Sequence, residues 1–221
     1  QPSPLSTQHP ALSTAFPTRP GSSSPRILLS VGRLIRRKGL LEFVEHVMPA
    51  LVKDHPDVLL LIVGDDAKVS LVHPERLRER IQAKVAELHL ENHVRLLGTV
   101  PDAELNALFH QAHLFVLPAL DIPGDIEGFG IVLLEAALAG VPAVATRVGG
   151  IPEAVQDNIT GLLTPPADYP ALHQAISRLL SDNALYQSLS SAAAHRARTD
   201  FSWDAILPQY EQSLRKCLSS V

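Results

Sequence analysis

The chain has 221 residues, 46% hydrophobic and only 5% aromatic, with a formal net charge of -4, which suits one aliphatic-cored domain with appendages and lacks the cation excess that displaces counterions from nucleic acid. The single cysteine, Cys217, excludes an internal disulfide, and no Cys/His spacing of the zinc kind occurs. No apolar run approaches the roughly 18–20 residues that span a bilayer and no signal-peptide pattern opens the chain, so the expectation is a soluble cytoplasmic protein, with peripheral attachment to the inner membrane face left open.

Residues 1–25 hold six prolines, six serines and three threonines, 15 of 25 positions. Such a segment buries too little to offset its ordering entropy, and it reads as a linker. Five apolar runs then read as strands: Ile27–Val31, Val58–Val63, Val94–Leu97, Leu114–Leu117 and Val141–Ala145. Between them, helical spacing is carried by Leu40 to Leu51, by Pro74 to Leu88 and by Leu105, Leu108 and Phe109 after a capping-box pattern at Thr99–Asp102. An apolar helix is expected over about Ile131–Ala139, and the pattern is helical from Asp168 onward. Strands apolar throughout and alternating with helices indicate an α/β fold, a Rossmann-like parallel sheet covered on both faces. In that architecture ligands bind at the carboxyl ends of the strands.

Three loops at those ends carry candidate chemistry. The first, Gly32-Arg-Leu-Ile-Arg-Arg-Lys-Gly39, places four cations between a strand and a helix start. It suits a diphosphate, and equally a solvated basic turn. No P-loop pattern is present. The second, Asp121 to Gly130, runs into the apolar helix, where Gly128 and Gly130 would bare backbone N–H groups to an anion or hydroxyl. Glu127 precedes that cradle and reads alternatively as a helix-start acid. Glu135, inside the apolar run, needs partners such as bound hydroxyls or else sits on the exposed edge of the helix. The third, Thr146-Arg-Val-Gly-Gly150, is a further cradle or simply a tight turn. The glycine pattern does not complete a dinucleotide fingerprint, which weighs against a nicotinamide-dependent oxidoreductase.

Taken in order, Val31-Gly-Arg-Leu with Lys38-Gly39, Gly64-Asp65, Leu97-Gly-Thr-Val100, Glu127-x7-Glu135, Gly140-Val-Pro142, Gly149-Gly-Ile-Pro-Glu153 and Thr160-Gly-Leu162 resemble the carboxyl-terminal domain of family 4 glycosyltransferases of the GT-B fold. The resemblance spans about residues 26–218, with the main domain over 26–200. The wording around Asp125–Glu135 looks nearest to phosphatidylinositol-mannosyltransferase-like and exopolysaccharide enzymes. It implies a retaining hexosyltransferase that uses a nucleoside-diphosphate sugar, GDP-mannose or a UDP-hexose, without a metal or other cofactor. Residue by residue, it implies that Arg33 and Lys38, beside Gly32, hold the donor diphosphate. Glu127 would lie at the transferred sugar, with Gly128 and the N–H groups of Phe129, Gly130 and Ile131. Glu135 would bind the ribose, and the backbone of Arg95, Leu96 and Leu97 would meet the base. Glu127, Arg33 and Lys38 are thus the implied catalytic residues.

Such enzymes carry an amino-terminal acceptor domain of similar size, and nothing in this chain corresponds to it. Residues 201–221 resemble the family's final helix, which crosses back onto that domain. The isolated chain is therefore expected to bind donor without completing transfer. A sugar-nucleotide-binding module and a related epimerase stand as alternatives.

Overall fold

The computed structural model describes residues 24–66 and 76–218. Nearly all of the stretch expected as a linker, and the Pro74 start of the second helix, lie outside them. Six parallel strands form one sheet: β1 (Arg26–Val31), β2 (Val58–Val63), β3 (Val94–Gly98), β4 (Leu114–Leu117), β5 (Ala143–Thr146) and β6 (Gly161–Thr164), in the order β3-β2-β1-β4-β5-β6. The order reverses between β1 and β4, the position at which such sheets open a ligand crevice.

The apolar runs are buried on both faces, as a doubly covered parallel sheet requires. Leu28, Leu60, Ile62, Val94, Leu114 and Val116 pack on one side against helices α1 (Leu40–His46), α2 (Met48–Asp54), α3 (Leu77–Glu87) and α7 (Tyr169–Ser181). Leu29, Val31, Leu61, Phe115 and Leu117 pack on the other against α4 (Asp102–Gln111), α5 (Ile131–Leu138) and α6 (Ile151–Ala154). Truncating one of these core leucines to alanine costs about 2–5 kcal/mol.

Several expectations are corrected. A sixth strand, β6, closes one edge; with only Leu162 and Leu163 apolar among its four residues, it is too short an apolar run to read as a strand. The helix expected over 40–51 is two, parted at Val47, because Pro49 in the first turn of α2 has no N–H to continue the ladder. The capping box is not formed: the residue before α4 is Pro101, and no side chain caps that helix. Asp168 and Asp182, by contrast, do cap α7 and α8 (Asn183–Thr199), accepting from the N–H groups of Ala171 and Leu185.

The final helix α9 (Trp203–Leu218) buries no residue. Trp203, Leu207, Tyr210, Leu214 and Leu218 are all exposed, and their spacing puts them on one helical stripe.

Candidate functional site

The carboxyl ends of β1, β4 and β5 meet at three loops, and close backbone approach holds them together. After β1, Arg36–Lys38 form a 3-10 turn that ends on Gly39, which has a left-handed φ of 67°. A Cβ at Gly39 would collide with the carbonyl oxygen of Pro118. The loop leaving β4 is then tied down along its length. Leu120 N–H donates to the Arg37 carbonyl at 2.8 Å, and Gly150 N–H to the Glu127 carbonyl at 3.2 Å. Thr146 Oγ1 donates to the Ala119 carbonyl at 2.6 Å. The adjacent glycines of the third loop are explained by this packing: a Cβ on Gly149 or Gly150 would strike the carbonyl of Glu127 or Gly128. They brace the second loop.

That bracing places Glu127 in a buried position, 6% exposed, beside Lys38, 8% exposed. Lys38 Nζ lies 2.9 Å from Glu127 Oε2. Arg37 meets the same oxygen through Nε at 3.3 Å and Asp125 through Nη1 at 2.8 Å. A buried carboxylate survives only with such partners, because its desolvation costs several kcal/mol if left alone. Arg33, one turn before, is exposed and pairs with no carboxylate among the described residues. The two cations expected to act together are therefore in different states: Lys38 is engaged with Glu127, and Arg33 faces solvent.

Gly130, with a left-handed φ of 75°, stands before α5, whose first turn has no side-chain cap. A Cβ at Gly128 meets nothing within 4 Å, so the space beside it is open. Ile131 is exposed. Phe129 turns aside: its ring packs edge-on against Phe201 at 5.6 Å, and the Arg196 guanidinium covers Phe201 at 4.7 Å. Glu135 is exposed, so the cost expected from its apolar sequence context does not arise. It lines a groove of about 310 Å³ between α4 and α5 with Asp102, Leu105, Asn106, Phe109 and Leu138.

Arg95, Leu96 and Leu97 lie on β3, separated from β1 by β2. Two strand spacings put them about 10 Å from the β1 loop. The Leu96 carbonyl accepts from Arg78 Nη2 at 3.3 Å, and Arg78 Nη1 stands 3.7 Å from Asp65. The sequence reading missed Arg78 and the Arg37 clamp. Opposite charges on facing loops, Arg37 and Asp125, were the available signal for the second.

A doubly covered parallel sheet, with a buried Lys–Glu pair and an uncapped helix start at the point of strand reversal, defines a Rossmann-like α/β domain with its candidate site at the carboxyl ends of the strands. Residues 15–196 match the family Glycosyl transferases group 1, and the chain belongs to that family. It is similar to a glycogen synthase of Mycobacterium tuberculosis, 33% identical over 191 residues, which are 86% of this chain and 42% of the relative. It is also similar to a GDP-mannose-dependent α-(1-6)-phosphatidylinositol monomannoside mannosyltransferase of Mycolicibacterium smegmatis, 32% identical over 84% of this chain and 46% of the relative. Among solved structures, Anabaena HepE in complex with UDP-glucose superposes with a TM-score of 0.71 at 26% identity, covering 89% of this chain and 49% of that one. The chain thus spans about half the length of such relatives and corresponds to the carboxyl-terminal half of a GT-B enzyme. No helix among the described residues is long and apolar enough to cross a membrane.

Proposed function

We propose that this chain is the donor-binding half of a retaining hexosyltransferase that uses a nucleoside-diphosphate sugar. The observation that carries the reading is the buried Lys38–Glu127 pair at the strand reversal, next to an exposed Arg33 and the open space at Gly128. Lys38 and Arg33 offset the charge that develops on the leaving diphosphate, as a divalent ion does elsewhere. The Phe129, Gly130 and Ile131 N–H groups at the start of α5 face phosphate or sugar oxygens. Glu127 accepts from sugar hydroxyls, Glu135 accepts from the ribose hydroxyls, and the base reaches toward Arg95–Leu97. The leaving phosphate takes the acceptor proton in a front-face displacement.

GDP and UDP donors are both compatible with this site: the M. smegmatis relative is named for GDP-mannose and HepE was solved with UDP-glucose. The apolar stripe on α9 suits contact with an amino-terminal acceptor domain, without which the chain binds donor and does not complete transfer.

Calorimetry of this chain with UDP, GDP, UDP-glucose, GDP-mannose and pyrophosphate tests the reading. One nucleoside diphosphate should bind, and Glu135→Ala should weaken it roughly tenfold while leaving pyrophosphate unchanged, since the loss is that of hydrogen bonds to a charged acceptor. Equal loss for both would remove the ribose role. Binding of none of the nucleotides would remove the donor site.

A further inference from the structure

Arg37 belongs to the basic loop by sequence, but its side chain does not face solvent as Arg33 and Arg36 do. It turns inward and holds two acids at once, Asp125 through Nη1 and Glu127 through Nε. Its own carbonyl accepts from Leu120 N–H. One residue therefore fixes the second loop at three points between 120 and 127. Lys38 and Arg37 both meet Oε2 of Glu127. The cluster is neutral as it stands, two cations against the two carboxylates of Asp125 and Glu127.

That balance changes when an anionic diphosphate arrives, and here the argument rests on the donor-site reading above. Lys38 then turns toward the phosphate, and Glu127 loses one of its two cations while staying buried. A buried carboxylate without a partner is costly and draws in water or a new donor, and either change spoils its aim. Arg37 is placed to prevent this. Its planar fork spans two carboxylates, which an ammonium group does not match. The Asp125 branch also anchors it, so that it does not follow Lys38 to the phosphate. We propose that Arg37 is a positioning residue: it keeps Glu127 paired and oriented toward the donor sugar while Lys38 is transferred to the diphosphate, with Asp125 as its anchor.

This role predicts an effect on the sugar and not on the nucleotide. Wild type, Arg37→Met, Arg37→Lys and Asp125→Asn are titrated by calorimetry with UDP and UDP-glucose and with GDP and GDP-mannose, and the melting temperature of each variant is recorded. For the nucleotide pair that binds wild type, Arg37→Met and Arg37→Lys should keep affinity for the nucleoside diphosphate within about twofold. They should lower the ratio of sugar-nucleotide to nucleoside-diphosphate affinity by roughly tenfold, a coupling of ordinary size for groups in contact. Asp125→Asn should move the ratio the same way by a smaller factor. Should Arg37→Met fail to fold, the Lys and Asn variants, which keep most of the local volume, carry the test alone. An unchanged ratio overturns the inference, as does equal weakening of both ligands, which would make Arg37 a phosphate ligand or a purely structural clamp. Failure of wild type to bind either pair overturns the donor-site reading, and this inference with it.

Discussion

At the amino end of the sheet, Arg26 forks onto both oxygens of Asp57 and gives a further bond to the carbonyl of Leu180, with His55 Nδ1 beside it. At the carboxyl end, Arg37 instead reaches two carboxylate groups, and Lys38 shares one of them. Both clusters join cations and acids from strand-end loops, and both are partly or wholly buried. They differ in what surrounds them. The Arg26 guanidinium is part-exposed but already engaged by groups of its own protein, which tie β1 to the β2 entry and to the end of α7. The Lys38 cluster is flanked by an exposed cation, an open position at Gly128 and a helix start without a side-chain cap. A charge cluster reads as a staple where protein groups take up its donors, and as a candidate ligand site where neighbouring donors still face open space.

Three substitutions test that difference. The largest effect is expected at the carboxyl end: Lys38→Ala should cost about 100-fold in affinity for the bound nucleoside diphosphate, as loss of a partly buried charge pair does. Arg33→Ala should also weaken binding, by about tenfold, and without a change in melting temperature, because Arg33 is exposed. Affinity unchanged in both variants would make the two clusters alike. Next, Arg26→Met should lower stability by about 2 kcal/mol in urea unfolding, since it strips a charged partner from a half-buried carboxylate, and should leave nucleotide affinity unaltered. A nucleotide effect as large as that of Lys38→Ala would contradict the staple assignment.

The smallest effect concerns pH. Local desolvation of the ring where it meets the Ile27 N–H, and then the charge of Arg26, holds the imidazole of His113, a residue exposed overall, below its ordinary value of 6.5, and desolvation and Arg26 likewise lower His55. The fold therefore favours the neutral rings. Their contribution is complete above the unfolded-state value of 6.5 and is lost as pH falls from there toward the lowered folded values. His113 Nδ1 accepts the Ile27 N–H at 3.0 Å, a bond that protonation removes. Melting temperature should thus drop on going from pH 7.5 to about pH 5.5, by no more than about two degrees for groups this exposed, and His113→Asn, which keeps an acceptor, should flatten the drop. An unaltered pH profile in that variant would leave the histidine without a titrating role.

The five expected strands were legible because each is a mostly apolar run bounded by turn residues. Which side chains face which helix layer was not, since a run apolar on both faces carries no alternation. β6 was missed because only Leu162 and Leu163 of its four residues carry apolar side chains, and the helix break at Val47 because the apolar spacing continues through it. The site divides in the same way. Lys38, Arg33, Glu127 and Glu135 were singled out by type and order, whereas their states were not: Lys38 and Glu127 are buried together, Arg33 and Glu135 are exposed. Phe129, expected for its backbone, also spends its ring on Phe201.

The amino-acid sequence by itself determined the fold class, the position of the candidate loops and, through its ordered motifs, the family. Those depend on local properties: hydrophobic runs, glycines at strand ends and charges beside them. Only the tertiary structure decided that Arg37 clamps Asp125 and Glu127, 88 and 90 residues away, and that the Gly149–Gly150 turn braces the same loop. The physical reason is that such contacts arise when the β1, β4 and β5 loops converge at one end of the sheet. Their geometry depends on strand order and crossover, which no stretch of neighbouring residues encodes.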